Sequence, residues 1–147
     1  MNERLKNMIW LIVVVVAFAI FSSVRGGTST YLDFSDEKIT VIAPENFSYV
    51  IGYEDIRNVE LVDEIDPGTM LSGGETRKYQ WGTWENQAYG EYTLCVSKRI
   101  DNALVFSLAN GETLVVNYES DDTTQALLDL INDLIKNSEV ASNESRS

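Results

Sequence analysis

The chain predicts a mainly β fold with one C-terminal α-helix, a β-barrel or sandwich set behind an N-terminal transmembrane helix. Three observations predict it. An apolar, uncharged run sits at the N-terminus, eight short alternating segments follow it, and the hydrophobic period then changes from two to 3.6 residues near Thr124. With 147 residues there is room for one ordinary domain and a short appendage.

The N-terminal run is Met8-Ile9-Trp10-Leu11-Ile12-Val13-Val14-Val15-Val16-Ala17-Phe18-Ala19-Ile20-Phe21, and Ser22, Ser23 and Val24 extend it to Arg25. At about 1.5 Å per residue the extended run covers roughly 25 Å, the short end of a bilayer span. It is apolar on every face, which sets it apart from a helix half-buried in a globular core. A cleaved signal peptide fits the same pattern. The small residues that cleavage needs occur as Ala17-Phe18-Ala19, inside the run, and more weakly as Val24-Arg25-Gly26, so an uncleaved anchor over residues 1–25 is the favoured reading. Arg4 and Lys6 outweigh Arg25, which keeps the N-terminus in the cytoplasm and sends the rest outside the cytoplasmic membrane. Cleavage would make the protein a secreted one.

Residues 26–30, Gly-Gly-Thr-Ser-Thr, read as a linker. Strands are expected at Tyr31–Phe34, Lys38–Ala43, Phe47–Ile51, Arg57–Val62, Lys78–Trp84, Gly90–Ser97, Ala103–Leu108 and Glu112–Tyr118. The segment from Asp63 to Lys78, with Pro67, Gly68, Gly73 and Gly74, is expected to be a long mobile loop. Asn110-Gly111 predicts a type I′ hairpin, with Leu104, Phe106 and Leu108 facing the same core as Leu114, Val116 and Tyr118. The helix is expected from Thr123 to Asn137, capped by Asp121 or Asp122 with Gln125 completing a capping box. Thr124, Leu127, Leu128, Ile131, Leu134 and Ile135 form its apolar face. The domain thus spans 31–137, and residues 138–147 read as a disordered tail.

Charge and composition exclude several functions. The chain carries −12, but residues 1–25 hold three basic residues against Glu3, so the remainder carries −14. Its eight Lys and Arg are spread thinly, which disfavours nucleic acid and anionic headgroups as partners. With no histidine there is no His-based general base, metal ligand or nucleophile system. The lone Cys95, in an alternating strand run, reads as a buried packing residue rather than a thiolate. Asp63, Glu64 and Asp66 lack the spacing of a calcium loop and read as solvated. No cofactor or metal is implied, and no carboxylate pair stands out for catalysis.

Tyr79, Trp81, Trp84, Tyr89 and Tyr92 are the candidate binding residues. Tyr79, Trp81 and Thr83 share one strand face and Trp84 takes the other, so one ring is expected outside the core, where it could line a groove for a peptide or glycan. Core packing is the competing reading for the whole group.

The element order, many short strands and one terminal amphipathic helix, resembles a pleckstrin-homology barrel. More specifically, Tyr53-Glu54-Asp55-Ile56, Val59 to Asp63, Gly73-Gly74, Trp81-Gly82-Thr83-Trp84, Tyr89 to Val96 and the turn at Asn110-Gly111 resemble the bacterial PH-like domains of small membrane-associated proteins of Gram-positive bacteria. The resemblance implies a fold and no activity. Phosphoinositide-binding relatives use a basic first loop, whereas Ser35-Asp36-Glu37 is acidic here, so that role does not transfer. The expectation is a non-catalytic, membrane-anchored module binding a protein or peptide. The alternative is an envelope domain that binds a glycan or small ligand through Trp81 or Trp84.

Overall fold

A computed structural model describes residues 2–12, 31–118 and 120–146. Residues 3–12 are helical. Among the described residues no helix is long and apolar enough to cross a membrane, and the greater part of the expected anchor, residues 13–21, lies outside them with the linker.

The described residues then form nine strands: β1 (Tyr31–Phe34), β2 (Lys38–Ala43), β3 (Phe47–Gly52), β4 (Ile56–Val62), β5 (Thr69–Glu75), β6 (Tyr79–Asn86), β7 (Gly90–Ser97), β8 (Ala103–Leu108) and β9 (Thr113–Val116). They form two sheets that do not close into a barrel. One is the antiparallel meander β1-β2-β3, and the other has six strands in the order β4-β8-β9-β7-β6-β5. The β8–β9 hairpin is inserted at the middle of the larger sheet, where β9 runs parallel to β7. Burial on both faces explains the unbroken apolar run of β9, whose Leu114, Val115 and Val116 have no exposed surface.

Two cores result. The first lies between the sheets and under the C-terminal helix, and it holds Leu104, Phe106, Leu108, Leu114, Val116 and Tyr118, as the alternation predicts. The second lies on the other face of the larger sheet, around Trp84, Tyr92, Leu94, Val105 and Val115, with Val62 and Ile65 packed against it.

The expected mobile loop is the largest correction. Residues 69–75 are β5, and residues 63–68 form a strap pinned over the second core. The Tyr92 hydroxyl donates to the Pro67 carbonyl (2.8 Å) and the Asn86 amide to that of Asp66 (2.8 Å). Glycines conceal the strand because they are what lets it form. Gly73 pairs with Gly82, both at positive φ (112° and 106°), and a Cβ on either would fall 2.3 Å from a carbonyl oxygen of the other strand. Turn residues in the sequence here serve a close strand crossing.

The turn at Asn110-Gly111 differs from the expected type I′. At Asn110-Gly111 only Gly111 has positive φ (88°), its N–H bonds to the Leu108 carbonyl (3.0 Å), and the Asn110 side chain accepts from the Glu112 N–H (2.9 Å). This is a type I turn followed by a left-handed glycine rather than type I′. The positive pair is Glu45 (60°) and Asn46 (61°), between β2 and β3.

The C-terminal helix spans Asp121–Arg146, continuing beyond Asn137 through the segment read as a tail. Its cap is Ser120, whose Oγ accepts from the Thr123 N–H (3.1 Å). Asp121 is engaged elsewhere: its carboxylate takes the N–H groups of Asp101 (3.1 Å) and Asn102 (3.2 Å), tying the helix start to the β7–β8 turn. The buried Thr124 hydroxyl accepts from the Tyr118 N–H (2.9 Å), fixing the helix to the end of β9. Leu127 and Ile131 are buried, and Leu128, Leu134 and Ile135 pack against the first core, the predicted face.

Candidate interaction surface

The aromatic candidates divide between the two cores. Trp81, 3% exposed, belongs to the first core, and Trp84, also 3% exposed, to the second; its indole N–H donates to the Trp81 carbonyl (3.1 Å). The faces alternate as predicted. No ring of the pair lies outside, because the strap encloses the second face. Tyr79 is half-buried against the first core, whereas the half-buried Tyr89 meets the buried Tyr92 at 5.5 Å between ring centres. Burial pushes the Tyr92 phenol up to about 12, with the charge of Asp66 adding to it. Burial also raises Tyr89.

Burial likewise pushes the Cys95 thiol up to about 12, against an opposing backbone hydrogen bond from Gly82. With no exposed surface, this thiol stays protonated and inert near neutrality. Asp36 and Glu37 stand exposed in the β1–β2 turn, where Tyr53 closes the loop by donating to the Ser35 carbonyl (2.7 Å). That burial, with Asp36 and Asp33 nearby, pushes the Tyr53 phenol up to about 12.

The surface feature that sequence reasoning missed is the outer edge of β5. Among the described residues β5 pairs with β6 alone, leaving one side of its ladder without a strand. It is the terminal strand of the larger sheet, whose opposite edge, β4, lies against the C-terminal helix. Its burial pattern is exposed almost throughout, and Met70 (44%) and Leu71 (50%) form an adjacent apolar pair at a register shift between Met70 and Ser72. The two ends of this edge differ in charge. Near Thr69 stand Asp66, Glu85 and Glu91, the last two cross-strand neighbours of one another. Near Glu75 stand Arg77, Lys78 and Lys98. Glu75 itself is bonded by Lys98 (2.5 Å), which holds its carboxyl below the usual range. Arg77 and Lys78 take part in no ion pair among the described residues. The available sequence signal was the symmetry of Gly73 and Gly82 about the Arg77-Lys78 turn.

The edge can accept a strand: outward N–H and C=O groups supply affinity, and the apolar pair supplies contact area. A family model of the bacterial PH domain matches residues 34–130. No curated protein and no solved structure matches the chain.

Proposed function

Since the chain belongs to the bacterial PH domain family, we propose that it is a membrane-anchored interaction module that receives an extended segment of a protein along β5, without catalysis. PH-like domains are generally non-catalytic interaction modules, which supports the class. The single observation that carries the rest is the unpaired edge of Thr69–Glu75 with Met70 and Leu71 exposed on it. An apolar pair on an open edge strand offers a partner strand both ladder groups and contact area.

The membrane half of the proposal rests on the apolar run from Met8 to Phe21 and the positive residues before it. Its described beginning is helical, with Trp10 72% exposed and Leu5, Ile9 and Leu11 each above 40%. That surface favours burial in lipid, with the N-terminus inside and the acidic domain outside. Trp81 and Trp84, being buried, are not available to stack on a sugar ring, so the geometry favours the protein partner.

A photo-crosslinking side chain placed at Leu71 of the full chain in intact cells tests the reading. Discrete adducts at Leu71, and none with the same probe at the exposed Ser48 of β3, are expected. Equal labelling at both positions, or none at Leu71, overturns it. Carbonate-resistant membrane association, lost when residues 1–25 are deleted, tests the anchor.

A further inference from the structure

The polarity of the β5 edge specifies its occupant. We propose that the strand received by β5 is β5 of a second copy of this chain, paired antiparallel about Ser72, so that two six-stranded sheets join into one across a twofold axis. The proposal rests on the reading that β5 is the binding edge, and it adds the identity of the partner.

Three observations carry it. First, charge is self-complementary only in the antiparallel sense. One end of the edge is acidic, with Asp66, Glu85 and Glu91, and the other basic, with Arg77 and Lys78, Lys98 there being matched by Glu75. Pairing about Ser72 brings the Asp66 end of each edge towards the Arg77-Lys78 turn of the other, at both ends of the contact. A parallel arrangement would bring like charges together. Second, shape follows the same register. Met70 and Leu71 come opposite Gly74 and Gly73 of the second copy, which bring no side chain of their own to the contact, the space over Gly74 being taken by the ring of the neighbouring Trp81. Third, a twofold contact of a strand with itself needs one open edge and no second surface, which is what the larger sheet presents.

The test uses the full chain in detergent micelles. Ser72→Cys places a thiol beside its own copy at the axis, and the native Cys95, fully buried, does not compete. Mild oxidation is expected to give a disulfide-linked dimer for Ser72→Cys and none for Ser48→Cys. Lys78→Asp is expected to weaken wild-type self-association, measured by sedimentation, by about three- to tenfold, and Asp66→Lys added to it to restore the affinity. A Ser72→Cys chain that stays monomeric like the control overturns the inference, as does a double variant no tighter than the single. If the Leu71 adducts in cells then carry the mass of a different protein, the edge reading stands and the self-pairing falls. If there are no adducts either, both fall.

Discussion

The phenol of Tyr49, on β3, donates a hydrogen bond to the carboxylate of Glu112, in the β8–β9 turn, linking the small sheet to the central hairpin of the large one. Partial burial raises the Tyr49 pKa, and the bond to Glu112 and its charge raise it further. The two sheets share no ladder hydrogen bonds, so this polar link supplements apolar packing at their junction. Tyr49→Phe keeps the ring and removes the donor. A loss of about 1 kcal/mol in urea unfolding is expected, with the slope unchanged. No loss would mean the bond is exchanged for water at no cost.

The glycine crossing of β5 over β6 makes a sharper demand. Gly82→Ala would set its Cβ 2.3 Å from the Ser72 oxygen and also strain a backbone at φ +106°. A cost of at least ~2 kcal/mol is expected. Gly90, at φ +67° with nothing within 4 Å of a Cβ, supplies the control, where alanine should cost only about 1 kcal/mol. Thermal unfolding of both variants checks the order. Equal losses would contradict the close crossing.

Stability should fall in alkali. Tyr53 and Tyr92 are both raised from 10.0 to about 12, so the folded state holds their protons more tightly than the unfolded chain. Their contribution is complete below pH 10 and is lost as pH rises toward 12, on the order of 2 kcal/mol per phenol. Urea midpoints at pH 8 and pH 11.5 measure it. Tyr92→Phe should be less stable at pH 8 yet lose less between the two pH values.

The turn between β2 and β3 holds Glu45 and Asn46 at positive φ, where glutamate is poorly suited. Replacing the pair, Glu45→Asn with Asn46→Gly, installs the preferred type I′ dipeptide. A gain of roughly 0.5–1 kcal/mol is expected by thermal unfolding. An unchanged or lower midpoint would argue against the turn assignment.

These particulars show where local pattern suffices. β1, β2, β7 and β8 are legible residue for residue, because each alternates or runs apolar between turn residues and its neighbours in the sheet reward that pattern. The helix face is legible for the same reason at period 3.6, yet its cap is not. Asp121 and Ser120 are both good caps by type, and only the β7–β8 turn, distant in sequence, diverts Asp121. β5 is illegible because its sequence meets two demands at once, an edge without a buried face and a crossing too close for side chains. The candidate site suffers from the same blind spot. Trp81 and Trp84 alternate as strand residues must, but whether the second face is open depends on a strap held by Tyr92 and Asn86. The β5 edge becomes visible only once the strand order is known.

Hydrogen exchange over residues 69–75 tests the central claim most directly, because an unoccupied edge leaves alternate amides open to water and an occupied one protects them. The full chain in its membranes should show every amide of β5 slowed, with the outward set released when the protein is solubilised and diluted. Equally fast exchange of that outward set before and after dilution would contradict a strand bound at β5.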